Sequence, residues 1–147
     1  MKSLYKIKQW DSFELINKIK DNSVDLVITS PPYNVGKVYE KKDKLEKYLE
    51  PYKQFTKTLF EKVSQTWSVC RQVGNYIEKG EVYPLDIYFY DIFKEAGFKL
   101  RNRIIRHFEH GLHAQNRFSG RYETILWFTK DDEYTFNLDA VRVPSKY

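Results

Sequence analysis

The residues best suited to chemistry form a short run, Ser30-Pro31-Pro32-Tyr33, directly after an apolar segment. Each proline fixes its own φ at about −65° and drives the residue before it into an extended conformation, so the run is a rigid loop. Because neither proline has an N–H, the loop presents mainly hydrogen-bond acceptors, and Ser30 adds a hydroxyl that can accept or donate. Tyr33 adds a flat ring at the edge of the loop.

Rigid acceptors beside an aromatic ring suit a flat substrate that carries an exocyclic amino group. The substrate ring would stack on Tyr33, and the amino hydrogens would bond to Ser30 Oγ and the Pro31 carbonyl. Two such bonds draw the nitrogen towards sp³ geometry, so that its lone pair can attack a methyl group in line. This reaction depends on positioning and hydrogen bonding rather than on a base with a shifted pKa. The alternative interpretation of the four residues is an ordinary turn that ends a strand.

Apolar patterns predict the elements that hold this loop. Val24 to Ile28 is an almost continuous apolar run, typical of a buried parallel strand that stops at the prolines. The whole pattern predicts an α/β fold, a mostly parallel sheet with an antiparallel strand near its end, in which ligands lie beyond the carboxyl ends of the strands. The other predicted elements are a strand over Leu4–Lys8, a short helix capped by Asp11 with Glu14 as its capping-box partner, an apolar helical stripe from Leu45 to Trp67, a strand over Val69–Ile77, a helix with Pro84 at its first position and Gly97 just past its end, and strands over Leu100–Phe108, Tyr122–Thr129 and Tyr134–Leu138.

The composition favours a folded basic domain in a reducing compartment. The 147 residues are 41% hydrophobic and 17% aromatic, enough for a core, and a net charge of +5 suits a polyanionic partner. A single cysteine, Cys70, excludes an internal disulfide framework and fits the cytoplasm. We expect no signal peptide and no membrane span, because no apolar run approaches the roughly 20 residues that a span needs.

The proline loop and its surroundings resemble the catalytic region of the DNA amino-methyltransferases, which modify N4 of cytosine or N6 of adenine. The central match is Thr29-Ser30-Pro31-Pro32-Tyr33-Asn34 after an apolar strand. The resemblance covers essentially the whole chain, and the set of matches is more specific than Ser-Pro-Pro-Tyr alone. The further matching segments are Asp11, Asn22-Ser23-Val24-Asp25, Gln72-Val73-Gly74-Asn75, Phe98-Lys99-Leu100-Arg101-Asn102 and Arg117-Phe118-Ser119-Gly120-Arg121-Tyr122-Glu123.

This resemblance implies that a nucleotide of double-stranded DNA is flipped into a pocket and that S-adenosylmethionine supplies the methyl group. Ser30, Pro31, Pro32 and Tyr33 match the catalytic motif, and serine at its head favours cytosine N4 over adenine N6. Asp11 and Ser30 match positions close to the cofactor. The residues that we expect to contact DNA are Asn34, Lys37, Arg117 and Arg121.

Several polar residues also have a purely structural interpretation. Asp11 is fully explained as a helix N-cap, although a cap can also approach a cofactor. The histidines recur every third residue, but a structural zinc site needs four ligands and Cys70 is remote in sequence, so we expect no metal site. Arginines alternate along one predicted strand, and they form either its solvent-facing side or a ridge that contacts phosphates. These histidines are His107, His110 and His113, and the arginines are Arg101, Arg103 and Arg106.

The glycine-rich turn that receives the cofactor in this family is not visible. No two of the six glycines are separated by one residue, so no G-x-G exists. In the branch that the chain resembles, the catalytic motif precedes the cofactor motif. We therefore interpret residues 1–147 as a single catalytic-half domain that is incomplete and inactive alone. It also departs from relatives that often have Trp at the positions of Arg71 and Arg106.

A complementing chain is the partner that this interpretation predicts. Without the cofactor half, the strand over Val24–Ile28 becomes an apolar sheet edge, which is a template for pairing with another chain or with a second copy. Two other functions stay open: an inactive remnant that binds only DNA or nothing, and a protein-interaction module that docks a partner on this edge.

Overall fold

The computed structural model describes residues 5–38, 42–110 and 113–145. Its elements, in chain order, are α1 (Ser12–Leu15), a 3-10 turn (Ile16–Lys18), β1 (Val24–Thr29), α2 (Leu45–Lys62), β2 (Val63–Val73), β3 (Asn75–Glu78), β4 (Glu81–Pro84), α3 (Leu85–Glu95), β5 (Lys99–His107), β6 (Tyr122–Thr129) and α4 (Leu138–Val141). Four strands form one sheet in the order β1-β2-β6-β5, and β3 and β4 form a hairpin.

The predicted α/β fold is confirmed. β1 and β2 pair in parallel, and β6 runs antiparallel to both of its neighbours, β2 and β5. Three strands therefore share one direction, and the exception lies near the end of the chain, as the sequence predicts. Within the described residues, none of the helices combines the length and the apolar character needed to cross a membrane.

The core lies between one face of the sheet and helices α2 and α3. Alternate residues of the central strands point into it, and the Phe93 ring of α3 stacks on Phe128 of β6 with centroids 4.4 Å apart. α3 ends at Gly97, whose φ of +104° favours glycine. The Phe98 N–H donates to the Phe93 carbonyl and the Gly97 N–H to the Lys94 carbonyl, so this turn aims the chain into β5.

Some predicted boundaries are wrong at the N-terminal half. Residues 5–8 form no strand, because no described strand lies beside them to pair with. The helical stripe from Leu45 stops at Lys62, since Val63 already pairs with Val24 in the sheet. Asp11 caps α1 as predicted, accepting from the Phe13 N–H at 2.8 Å.

Other predictions are wrong in detail further along. Glu14 closes no capping box and instead accepts from the Trp10 indole at 3.1 Å. Gly74 separates β2 from β3 in the stretch that was expected to be one strand. Pro84 lies at the N-cap position of α3 instead of in its first turn. Residues 134–137 are not a strand, because the rings of Tyr134 and Phe136 pack on Trp127.

The second face of the sheet and one of its edges are largely uncovered. β1 pairs with β2 alone among the described strands, so its outer side has no neighbour there. Leu26 and Ile28 of β1 point away from the helices and are 50% and 75% exposed. The exposed apolar edge expected from the sequence is therefore present.

Arginines of β5 are held in ion pairs. Arg101 donates to Thr129 and Asp132, and Arg103 pairs with the buried carboxylate of Asp86. Lys99 also bonds to Asp132 at 2.6 Å. For Arg101 and Arg103 the structural interpretation is thus favoured, since their charges already have protein partners.

Acid should weaken this cluster. Hydrogen bonds from Lys99 and then Arg101 lower the pKa of Asp132. A carboxyl with a lowered folded-state pKa stabilises the fold above its unfolded pKa of about 3.9, and that stabilisation is lost as pH falls towards the folded pKa. We expect Asp132→Asn to unfold more easily than wild type in urea at pH 7 and to lose less stability below about pH 4. Asp139→Asn, which breaks an exposed pair on α4, is the control; parallel curves for Asp132→Asn and wild type would contradict the prediction.

Candidate active site

The proline loop lies at the carboxyl end of β1, as expected for a ligand site. Thr29 is the last residue of β1 and pairs with Arg71 of β2, so Ser30 leaves the sheet beside a central strand. Ser30 Oγ and the Tyr33 hydroxyl are 2.8 Å apart and hydrogen bonded. The two residues that bracket the prolines therefore restrain each other, and the hydroxyl of Ser30 stays exposed at the surface.

A buried cluster beneath the loop supports it. The Tyr48 hydroxyl donates to the Pro32 carbonyl at 2.7 Å. Burial raises the pKa of Tyr48, so this hydroxyl stays protonated and can donate. The loop is thus attached to α2 by a bond that a phenolate could not make.

Arg71 is the unusual member of this cluster. It is 2% exposed, and its guanidinium lies 3.5 Å from the ring centroid of Phe89 and 4.5 Å from that of Tyr52. Burial lowers its pKa, and its Nε and one Nη have no hydrogen-bond partner among the described residues. A flat guanidinium stacks on aromatic faces. Arg71 thereby presents a flat face to the aromatic rings beneath the loop.

Gly74 allows the Tyr33 ring to take its position. A Cβ at Gly74 would lie 3.0 Å from Tyr33 Cδ2 and 3.2 Å from Tyr33 Cε2. Gly74 belongs to one of the matching segments named in the sequence analysis, but the sequence does not show which residue packs against it. Only the tertiary structure brings these two residues together.

Two cavities flank Tyr33. The smaller, of about 430 Å³, lies between the proline loop and three polar side chains, Gln72, Arg106 and Glu123. The larger, of about 470 Å³, is lined by Tyr33, Gly74, Arg117 and Phe118, among others. Each is large enough for a small ligand. Phe118 is 100% exposed beside this cavity, and the sequence assigned it no role beyond a motif match.

The predicted DNA-contacting residues divide into two groups. Lys37 lines both cavities and Arg117 lines the larger one, so both remain suitable. Arg121 approaches the His113 ring at 3.2 Å in the same polar loop. The prediction for Asn34 needs correction. Its side chain is 2% exposed and bonds to both the N–H and the carbonyl of Asp43 at 2.7 Å, so it closes the loop and is not presented at the surface.

The remaining predicted positions have simple placements. Asp11 lines neither of the two cavities, and its described hydrogen bond is the helix cap. Over residues 5–38, 42–110 and 113–145, no three His, Cys, Asp or Glu side chains are grouped to hold a metal ion. The site as described therefore consists of a hydrogen-bonding loop and two cavities.

Comparison with known proteins identifies the family. Residues 24–147 match the family model for N6 and N4 methyltransferases, described as DNA methylase. This chain belongs to the DNA methylase family. The type II methyltransferase M.BglII of Bacillus subtilis is 46% identical over 145 residues, which are 98% of this chain and 40% of M.BglII.

Solved structures agree with the fold of this methylase-family chain. The cytosine-N4-specific PvuII DNA methyltransferase superimposes with a TM-score of 0.76 at 23% identity, over 90% of this chain and 51% of the other. A protein of Thermus thermophilus described as a DNA modification methylase, solved with S-adenosyl-L-methionine, gives 0.69 at 23% identity, over 91% and 60%. The chain thus spans about half the length of these relatives, and its sheet is part of a methyltransferase fold.

A methyl group at residue 74 should displace the Tyr33 ring. Gly74 has no positive φ, so Gly74→Ala adds steric contact without backbone strain. We expect the ring signals of Tyr33 in ¹H–¹³C NMR spectra, identified by their loss in Tyr33→Phe, to shift strongly. Gly120→Ala is the matched control at the same cavity, because its Cβ would come no closer than 3.8 Å to Asn75 Nδ2. Unmoved Tyr33 signals in Gly74→Ala would show that the contact does not constrain the ring.

Proposed function

We propose that this chain contributes the catalytic half of an enzyme that methylates the exocyclic amino group of a flipped DNA base, with cytosine N4 favoured. The observation that carries the proposal is the hydrogen bond between Ser30 Oγ and the Tyr33 hydroxyl in a rigid loop at the carboxyl end of β1. Family membership supports the reaction class. The serine at the head of the motif supports cytosine.

The loop would act by holding an amino group. When Ser30 donates its proton to the Tyr33 oxygen, both lone pairs of Ser30 Oγ are free to accept. One amino hydrogen then bonds to Ser30 Oγ and the other to the Pro31 carbonyl, which concentrates electron density on the nitrogen. Because Tyr48 occupies the Pro32 carbonyl, the loop keeps this shape before the base arrives.

S-adenosylmethionine, when bound, supplies an electrophilic methyl group. Ser30 is the residue of this chain that we expect to approach it from the side of the base, and Asp11 lies outside both cavities. The residues described here therefore fit the amino acceptor better than the methyl donor. A donor pocket requires additional polypeptide.

DNA would approach the side of the molecule on which the larger cavity opens. Lys37 and Arg117 border that cavity, and the chain carries a net charge of +5. Such side chains bind phosphates and set the register of a duplex without reading its sequence. The exposed ring of Phe118 lies at the same opening and suits contact with an unstacked base.

The exposed edge of β1 would receive the missing half of the sheet. Leu26 and Ile28 are half-exposed or more, and a strand paired on one side only retains free backbone groups. The occupant is either a further part of the same polypeptide, a complementing chain or a second copy. The same edge favours the second candidate function, a remnant without activity that serves as a DNA-binding or protein-interaction module.

Tyr33 variants test the base pocket. In a complex of this chain with the segment that supplies the donor half, Tyr33→Ala should lose about 1–3 kcal/mol of stacking free energy with the base. It should therefore lose most of its methyl transfer to DNA. Tyr33→Phe keeps the ring and loses the bond to Ser30, so it should retain DNA binding and show a smaller fall in turnover. Tyr52→Phe, which removes a hydroxyl from a ring that contacts Arg71, is the control for the loss of a tyrosine hydroxyl. Equal methylation by Tyr33→Ala and wild type would exclude the stacking role.

Donor binding tests the need for a second half. By calorimetry, residues 1–147 alone should show no tight binding of S-adenosylmethionine and should transfer no labelled methyl group to DNA. Addition of a methyltransferase segment that carries the glycine-rich cofactor strand should restore both. Ile28→Lys places a charge on the β1 edge and should prevent this restoration, whereas Val38→Lys, at an exposed loop position, should not. Low-micromolar binding by the isolated chain would disprove the proposal of a missing donor half.

A further inference from the structure

Three polar side chains form one wall of the smaller cavity, and the chemistry proposed above does not use them. Gln72 Nε2 donates to Glu123 Oε2 at 2.5 Å, and Arg106 Nη1 donates to the same oxygen at 2.9 Å. Arg106 and Glu123 are cross-strand partners in β5 and β6. Ser30 lines the cavity from the other side, so the wall faces the loop that would hold the amino group.

We propose that Arg106 reads the Watson–Crick edge of the flipped base, and that Glu123, which is itself held by Gln72, is a positioning residue that orients it. The proposal rests on the proposed function, because it needs a base in this cavity. It adds residues that determine which base is accepted.

Glu123 sets the orientation of both partners. An ionised carboxylate only accepts hydrogen bonds, so Gln72 must turn its NH₂ group to Glu123 and its carbonyl oxygen elsewhere. One guanidinium N–H of Arg106 donates to Glu123. In the described part of the chain, the other guanidinium N–H groups make no hydrogen bond. The side chain of Glu123 is 20% exposed, so these bonds are partly shielded from water and hold their geometry.

The resulting pattern of donors and acceptors matches cytosine better than adenine. The edge of cytosine carries an amino donor followed by two acceptors, N3 and O2. The edge of adenine carries an amino donor, one acceptor at N1 and then an apolar C–H. The guanidinium of Arg106 has enough donors for two adjacent acceptors, whereas adenine leaves one N–H without a partner. The side chain of Arg106 is 53% exposed, and a base in the cavity would displace water from it. An N–H that adenine then leaves without a partner is costly, so the wall should discriminate against adenine.

The test is a titration of the full chain, labelled with ¹⁵N, with deoxycytidine 5′-monophosphate and with deoxyadenosine 5′-monophosphate. The side-chain signals of Gln72 and Arg106 are identified by their loss in Gln72→Met and Arg106→Met. Both nucleotides carry the same phosphate and sugar, so the ratio of their two Kd values reports the base alone. We expect the cytosine nucleotide to shift both signals and to bind about tenfold more tightly.

Variants separate the proposed roles. Arg106→Met should bring the two Kd values within about threefold of each other, and Glu123→Gln should do the same although Gln72 and Arg106 are still present. Arg142→Met removes an equal charge from the exposed residue that follows α4 and should leave the ratio unchanged. Dispersed amide spectra for each variant show that the fold is retained.

The outcomes distinguish this inference from the function on which it rests. Both nucleotides could shift the signals of Tyr33 and the proline loop with equal Kd while the signals of Gln72 and Arg106 do not change. The base pocket would then be supported, but other residues would discriminate between the bases, and the inference would be overturned. A preference for the adenine nucleotide also overturns the inference. If neither nucleotide shifts the loop, the proposed function fails, and the inference fails with it.

Discussion

Pro31 and Pro32 lack the backbone N–H that a strand needs, and the whole site depends on this constraint. The sheet ladder of β1 stops at Thr29 because the next residues cannot continue it. The chain therefore leaves the sheet at its carboxyl edge as a loop whose carbonyls are not paired in the sheet ladder. A rigid set of acceptors in a fixed place is the one feature that the proposed chemistry requires.

Proline rigidity alone does not orient the loop, and the neighbouring elements do so. Tyr48 of α2 binds the Pro32 carbonyl from below, and Gly74 at the end of β2 makes room for the Tyr33 ring. Arg71, buried against aromatic rings, fills the space beneath. A buried cation is tolerated there because the aromatic faces of Tyr52 and Phe89 replace part of its hydration.

Helices cover one face of the sheet, and the described residues cover the other only in part, where Tyr134 and Phe136 pack on Trp127. Helices α2 and α3 bury the first face, while Leu26 and Ile28 stay exposed at the second. An α/β sheet with one partly bare face and one bare edge has apolar surface that further polypeptide would bury. The chain spans 40% of the length of M.BglII.

The sequence by itself determined the fold class, the proline loop at the end of β1 and most of the elements around it. Apolar runs and proline positions suffice for this, because strand burial, strand termination and helix ends are local consequences of residue type. The range of β6 and the glycine turn after α3 were predicted as they stand. Boundaries failed where pairing decides the conformation. Residues 5–8 have strand alternation but no strand beside them among the described residues, and Val63 has helical spacing but pairs with β1.

The tertiary structure alone decided which side chains meet. Asn34 lies next to the motif in sequence, yet its backbone turn buries its amide against Asp43. Gln72, Arg106 and Glu123 come from three strands, and only the sheet register brings them to one wall of a cavity. Contacts between residues distant in sequence depend on that register, and a single sequence does not reveal it.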